Sequence, residues 1–309
     1  MDEVHNLVED VIRDGLECFE YINAILLTLH SEEADSLLAL LPILCCEAAG
    51  GERSQAMPIA AAWLLLYMAA KMLDDVEDGE LDALSQTLSP AQAVNVATGL
   101  IFASQLALAL LPKRGVDSDL LLSLHEDFNR TALRISAGQH ADLLEEVSSL
   151  EHCFRVIATK SGEPFALACR AGASLGTDDK TQIALYSEFG YNLGVLIQID
   201  NDFNGVWNPE NRSDLATGKR TLPVVYALSV APSDLRGQLR GLLSRAVGEP
   251  QAEEEARRII TELGALQYMM VQAQIHRKRA KEALRSTGRP CPARDKLIEI
   301  LDLVMPVTR

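Results

Sequence analysis

At 309 residues and a formal net charge of −16, the chain has ample length for a sizeable core but no basic surplus; nucleic acid and anionic lipid surfaces, which both need a compensating basic patch, are excluded as partners. Apolar residues make up 48% and aromatic residues only 5%, a balance that favours packed helices over strands. The six cysteines (Cys18, Cys45, Cys46, Cys153, Cys169, Cys291) form no Cys-x-x-Cys pair and no zinc spacing, so they read as buried thiols of a reducing, cytoplasmic compartment.

In chain order, the amino terminus Met1-Asp2-Glu3-Val4-His5 is acidic where a secretory signal is basic, which argues against export. A helix is predicted from Pro58 to Glu80, with Pro58 acceptable in its first turn and Gly79 near its end. It is apolar for most of its length and then abruptly acidic. The apolar run from Ala56 to Ala70 is too short to span a bilayer, and the run from Ala83 to Pro112 is interrupted by Pro90, Gln92, Asn95, Thr98, Ser104 and Gln105. Both read as buried helices, and no stable membrane span is expected. A second long helix is predicted from Lys180 to Gly205, then a polar loop from Trp207 to Gly218, then an apolar helix after Leu222-Pro223. Glu253-Glu254-Glu255 reads as the solvated start of a later helix. With no internal repeat and no strand-like alternation, the expectation is an all-α chain forming one domain over 1–309.

Two polar clusters carry the chemistry. Asp74, Asp75 and Asp78 end the first apolar helix, with Asp74 and Asp78 one turn apart on the same face. Their repulsion costs stability unless a cation shares them, and an oxygen-only ligand set suits Mg²⁺ better than zinc or copper. A solvated acidic helix end is the plainer alternative. The second cluster, Gln198, Asp200, Asn201, Asp202 and Asn204, lies in the apolar helix after Gly194, where polar groups need partners. Asn201 and Asp202 supply oxygens able to face the first cluster across a cavity, unless Gln198 and Asp200 simply bond neighbouring helices. Lys160 interrupts a helical pattern and Lys219-Arg220 precede a helix start, both fit places for cations that meet a phosphate.

Together these segments resemble the trans-polyprenyl synthetase (isoprenoid synthase) family from about residue 38 to residue 285. Asp74-Asp75-Val76-Glu77-Asp78 matches its first motif, Asp-Asp-x-x-Asp, and Gly138-Gln139-His140-Ala141-Asp142-Leu143 its Gly-Gln-x-x-Asp-Leu segment. Thr159-Lys160-Ser161-Gly162 is similar to its Lys-Thr segment, and Asp214-Leu215-Ala216-Thr217-Gly218-Lys219-Arg220-Thr221-Leu222-Pro223 to its Asp-Leu-x-x-Gly-Lys-x-Thr-Leu-Pro signature. Leu263-Gly264-Ala265-Leu266 is similar to a late helix of the family.

The resemblance implies an isoprenoid synthase-type helical bundle around a deep central cavity, a homodimer, and about two or three Mg²⁺ ions. It implies Asp74, Asp75, Asp78, Asn201 and Asp202 as metal ligands, Lys160, Lys219 and Arg220 as diphosphate contacts, and Lys160, Gln139, Gln198 and Lys219 as catalytic residues. The substrate is then a prenyl diphosphate whose allylic carbon–oxygen bond ionises in a dry pocket. Stepping back from Asp74 by helical turns gives Ala70, then Tyr67 and Leu66, then Trp63. Small Ala69 and Ala70 leave room and the larger residues close a floor, which by family analogy implies a C15–C20 chain. Tyr67 and Trp63 either face a carbocation or are ordinary core aromatics, and the spacing of Lys71, one turn before Asp75, suits a pair between them.

Three departures bear on the acceptor. Leu37-Leu38-Ala39-Leu40-Leu41-Pro42 stands where the family has Gly-Lys-x-x-Arg-Pro, Ala83-Leu84-Ser85 stands for Arg-Arg-Gly, and Asn201-Asp202-Phe203-Asn204-Gly205 stands for the second Asp-Asp-x-x-Asp. No arginine occurs between Arg53 and Arg114, and Arg53 is itself a candidate replacement for the missing cations. Three functions remain open: prenyl transfer to isopentenyl diphosphate or to another acceptor such as the indole of a peptide pheromone, a class I terpene cyclase or lyase, and a non-catalytic partner subunit of a synthase. The cyclase motif Asn-Asp-x-x-Ser-x-x-x-Glu is only partly met, with Gly205 for the serine and Glu210 one residue late.

Overall fold

The alanine- and leucine-rich segments fold as expected into helices, and among the described residues every regular element is helical. This computed structural model describes residues 2–14, 37–79, 88–144, 149–210, 213–288 and 290–305. The helices are α1 (Asp2–Asp14), α2 (Leu41–Ala49), α3 (Arg53–Glu77), α4 (Pro90–Leu108), α5 (Ser118–Leu143), α6 (Leu150–Ile157), α7 (Glu163–Ala173), α8 (Lys180–Trp207) and α9 (Asp214–Thr217). They continue as α10 (Leu222–Val230), α11 (Ser233–Ala246), α12 (Pro250–Glu262), α13 (Ala265–Arg285) and α14 (Pro292–Leu303). A π-helical turn, Ala158–Gly162, joins α6 to α7.

Local chemistry sets several boundaries. Ser89 and Gln92 form a reciprocal capping box at the start of α4. The Asp179 carboxylate accepts from the amides of Thr181 and Gln182 at the start of α8. Gly79, at φ +70°, ends α3 in the left-handed conformation that glycine adopts without strain. Helix α3 begins at Arg53, a turn before Pro58. The proline's missing N–H costs one hydrogen bond inside the helix, and burial of Ala56, Met57 and Ile59 around it offsets that loss. Glu80 and Cys18 lie outside the described residues.

Helix α3 packs on α4, and α8 runs between α7 and α13. The main core gathers α1 to α8 with α13 and α14, and includes the fully buried Trp63, Phe128 and Phe189. A smaller core, with Val206, Leu215, Leu239 and Ile259, lies among α9 to α12 and the end of α8. Two segments, Arg53–Glu77 and Pro90–Arg114, have the length and hydropathy of a bilayer span. The most apolar window of the first is 72% buried and that of the second 44%. The first is therefore a core helix as expected, whereas α4 keeps an apolar outer face with Val94, Phe102 and Leu106 exposed.

Candidate active site

The last turns of α3 carry Asp74, Asp75 and Glu77, Asp78 caps the helix, and no basic residue lies in its last turn. A helix carboxyl end bears partial negative charge, so carboxylates here oppose the helix dipole as well as one another. Cations from other elements meet them. Lys160 Nζ, from the π-helical turn, lies 3.0 Å from Asp74 Oδ1 and 2.6 Å from Asp142 Oδ2. Lys219 Nζ, from the segment between α9 and α10, lies 2.7 Å from Asp78 Oδ2. Burial raises the Asp74 pKa, with Lys160 pulling the other way. Burial alone lowers the Lys160 pKa, but Asp74 and Asp142 outweigh it and the ammonium is held protonated above its usual range.

A single extra residue in the helical turn aims Lys160 at this spot, as π-turns often do at functional sites. Gly138 lets α5 close on that turn, since a Cβ there would lie 2.3 Å from Thr159 Oγ1. Asp142, one turn after Gly138, is thereby brought onto Lys160. It was not among the residues singled out from the sequence, although the Gly-Gln-x-x-Asp spacing contains it.

On α8 a chain of hydrogen bonds crosses three elements. Ser161 Oγ donates to Gln198 Oε1 at 2.8 Å, Gln198 Nε2 donates to Asp202 Oδ1 at 2.7 Å, and the Leu222 amide donates to Asp202 Oδ2 at 3.0 Å. Asp202 is 4% exposed, and burial pushes its carboxyl up to about 7. It both anchors the start of α10 and faces the charged cavity. Asn201 is exposed and, with Asp200, lines the neighbouring cavity instead. A Cβ at Gly205 would lie 2.2 Å from Asp214 Oδ2. The space that a side chain at the third acidic position of the second motif would need is thus taken by a carboxylate from the start of α9.

Three cavities meet here. The charged one, about 440 Å³, is lined by Asp74, Glu77, Asp78, Asp142, Lys160, Gln198, Asp202, Lys219 and the exposed Arg220. A larger one, about 750 Å³, shares Asp74, Lys160 and Gln198 with it and adds Tyr67, Ala70, Lys71 and Asp75. The third, about 310 Å³ and mainly apolar, runs past Leu66, Ala70, Leu73, Ile101 and Ile135. Ala70 and Gln139 line both the second and the third. The Gln139 amide nitrogen and oxygen are buried with no hydrogen-bond partner. Trp63 lines none of these cavities: its Nε1 donates to the Pro164 carbonyl at 2.8 Å, and its ring stacks on Tyr67 at 5.1 Å and meets Phe165 edge-on at 5.5 Å. It is a core aromatic beneath the cavity floor.

Arg53 does not replace the missing acceptor cations. It starts α3, about 30 Å along the helix from the aspartates, and pairs with Glu3 and Glu47. Ala83-Leu84-Ser85 lie outside the described residues. Among the described residues no three Asp, Glu, His or Cys side chains form a ready-made metal cage. The donor set nevertheless fits Mg²⁺ in its usual protein mode, one or two carboxylates per ion with phosphate and water completing the octahedron. Asp74 and Asp78 would hold such ions from one wall of the charged cavity, with Asp202 on its other side, whereas Asp75 and Asn201, expected as further ligands, line the neighbouring cavity.

The family model of polyprenyl synthetases matches residues 20–263. A short chain isoprenyl diphosphate synthase of Methanothermobacter thermautotrophicus is 29% identical over 280 residues, covering 86% of this chain and 84% of its own. A tryptophan prenyltransferase of Bacillus spizizenii is 26% identical over 182 residues, 57% of this chain and 60% of its own. Among solved structures, geranylgeranyl pyrophosphate synthetase from Pyrococcus horikoshii shares the fold with a TM-score of 0.85 at 20% identity, covering 99% of this chain and 95% of the other.

Proposed function

The chain belongs to the polyprenyl synthetase family, and from that premise we propose that it is a Mg²⁺-dependent prenyltransferase ionising an allylic diphosphate of C15–C20 length. The observation that carries this is the cradle of Asp74, Asp78 and Asp142 held by Lys160 and Lys219 at the junction of a charged and two less polar cavities. Bound Mg²⁺ would neutralise charge developing on the leaving diphosphate. Lys160, Lys219 and Arg220 offer fixed cations to the same oxygens, so the departing group meets charge already in place rather than reorganised water. The Ser161–Gln198–Asp202 chain fixes the wall opposite α3. The hydrocarbon tail runs into the cavity past Ala70 and Leu66, where side chains exclude water from the allylic cation.

The donor class is supported by the isoprenyl diphosphate synthase named among the relatives, and the intact first motif weighs against a non-catalytic partner role. We read the protein as cytoplasmic, in keeping with the buried free thiols of Cys45, Cys46, Cys153 and Cys169. A homodimer is part of the same proposal: Phe102, Leu106, Leu122 and Leu133 are 67%, 52%, 66% and 72% exposed on α4 and α5, an apolar face suited to a second copy. Sedimentation of the wild type beside Phe102→Ser/Leu133→Ser checks it, with a shift to monomer expected in the variant.

The deciding experiment incubates the protein with Mg²⁺, indole or isopentenyl diphosphate as acceptor, and geranyl, farnesyl or geranylgeranyl diphosphate, and measures diphosphate release. Release that needs Mg²⁺ and disappears in Asp74→Asn is expected. An enzyme that neither binds nor consumes any of the three refutes the proposal.

A further inference from the structure

The larger cavity extends from Asp74, Lys160 and Gln198 to a far wall made by Leu37, Leu38, Ile300, Leu303 and Val304. This wall joins the residues before α2 to the end of α14. Arg277 fastens it: its Nη2 donates to the carbonyls of Val304 and Met305 at 2.5 and 2.7 Å. The carboxylates facing this part of the cavity are Asp75 and Asp200, and its cations are Lys71 and Lys160. Lys160 is already committed to Asp74 and Asp142, and Lys71 lies one turn from Asp75 on α3. The sequence holds no lysine or arginine between Arg13 and Arg53, nor between Lys71 and Lys113.

A second diphosphate placed here would lose water against leucine, isoleucine and valine while facing added carboxylates, a desolvation cost without compensating charge. An uncharged molecule instead gains about 25 cal/mol for each Å² of apolar surface it buries on the same wall. The unpartnered Gln139 amide, at the junction of this cavity and the apolar one, supplies a donor and an acceptor for a single neutral polar group.

We infer that the acceptor is an uncharged, largely apolar molecule whose nucleophile is an N–H, an O–H or an electron-rich aromatic carbon, and not a second diphosphate; this rests on the donor-site reading above. The allylic C–O bond breaks with its electron pair leaving on the diphosphate. The acceptor's nitrogen, oxygen or ring carbon supplies the pair for the new bond, and the proton it sheds passes to the released diphosphate.

The test uses the full chain with Mg²⁺. First, binding of farnesyl thiolodiphosphate, a donor that ionises poorly, is measured by calorimetry. Isopentenyl diphosphate is then titrated into the loaded enzyme. In parallel, farnesyl diphosphate is supplied with indole, with phenol, with isopentenyl diphosphate or alone, and products are identified by mass spectrometry. The expected result is donor binding, no saturable isopentenyl diphosphate binding at millimolar concentration, and a prenylated indole or phenol with one diphosphate released per product. Leu38→Trp should cut that turnover about tenfold by displacing the acceptor while thiolodiphosphate binding stays unchanged. With the donor bound, chain-elongated diphosphates, saturable isopentenyl diphosphate binding, products formed only from farnesyl diphosphate itself, or no reaction of either probe each overturn the acceptor inference alone. Absence of thiolodiphosphate binding overturns the donor reading and the acceptor inference with it.

Discussion

The two larger cavities share Asp74, Lys160 and Gln198, yet their remaining walls differ in balance, more charged in one and more apolar in the other. On one side, Glu77, Asp78, Asp142 and Asp202 share the lining with Lys219 and Arg220, and opposite charges crowd together. On the other, leucines, an isoleucine and a valine from the two ends of the chain close over the space, and side-chain burial holds them. Helix α3 serves both, because neighbouring residues on a helix point about 100° apart: Asp74 and Asp78 reach the charged side, while Asp75 and Lys71 turn to the apolar one. In the proposed function, one helix thus separates the place that receives the leaving group from the place that holds the nucleophile.

The comparison breaks most visibly if the carboxylates of α3 are silenced. Asp74→Asn with Asp78→Asn should lower turnover by about a thousandfold, with helical circular dichroism unchanged; an enzyme that keeps its rate would show that the charged side is mere surface. Lys219→Ala should act on the same side more gently. The donor diphosphate should bind about tenfold more weakly, as one charge-assisted contact is lost, and calorimetry with the thiolodiphosphate reads it directly. Ala70→Phe sharpens the contrast by plugging the junction with the tail cavity. The kcat/KM ratio of geranyl to geranylgeranyl diphosphate should rise about tenfold, and an unmoved ratio would place the tail elsewhere.

Asp202 gives the most specific effect, one of stability and not of turnover. Its carboxyl is pushed up to about 7 by burial, above the unfolded value of 3.8. Between these values the folded chain binds the proton that the unfolded chain has lost. Without metal, stability should therefore fall as pH rises through that window, by up to about 1.4 kcal/mol per pH unit. Thermal melts from pH 4.5 to pH 7.5 should show a shallower decline in Asp202→Asn, and parallel slopes would mean that the carboxyl ionises freely.

Much of the charged side was legible in the sequence because each of its parts is local. A helix that turns acidic in its last turns, a lysine interrupting a helical pattern and a lysine beside a helix start can each be seen within a dozen or so residues. The partners could not. Asp142 becomes important only because Gly138 lets α5 close on the π-turn. The vacancy at Gly205 makes sense only once Asp214 is seen filling it. Arg53 looked like a spare cation by its place in the sequence, and the rise of the helix carries it to the opposite end of α3. The apolar wall was the least readable part, since Leu37 and Leu303 meet only in three dimensions. The loss of cations from the first segment was visible in the sequence; what took their place was not.

The π-helical turn at Ala158–Gly162 has a consequence for how this site tolerates change. Removing one residue from the turn would let α6 and α7 merge into a regular α-helix. Everything on one side of the cut would then rotate by about 100° relative to the other, and a lysine at the same chemical position would point away from Asp74 and Asp142. Substitutions that keep every charge leave this arrangement standing, while a single-codon deletion dismantles it. Spacing within that short stretch is therefore as strict a requirement as the identity of its lysine.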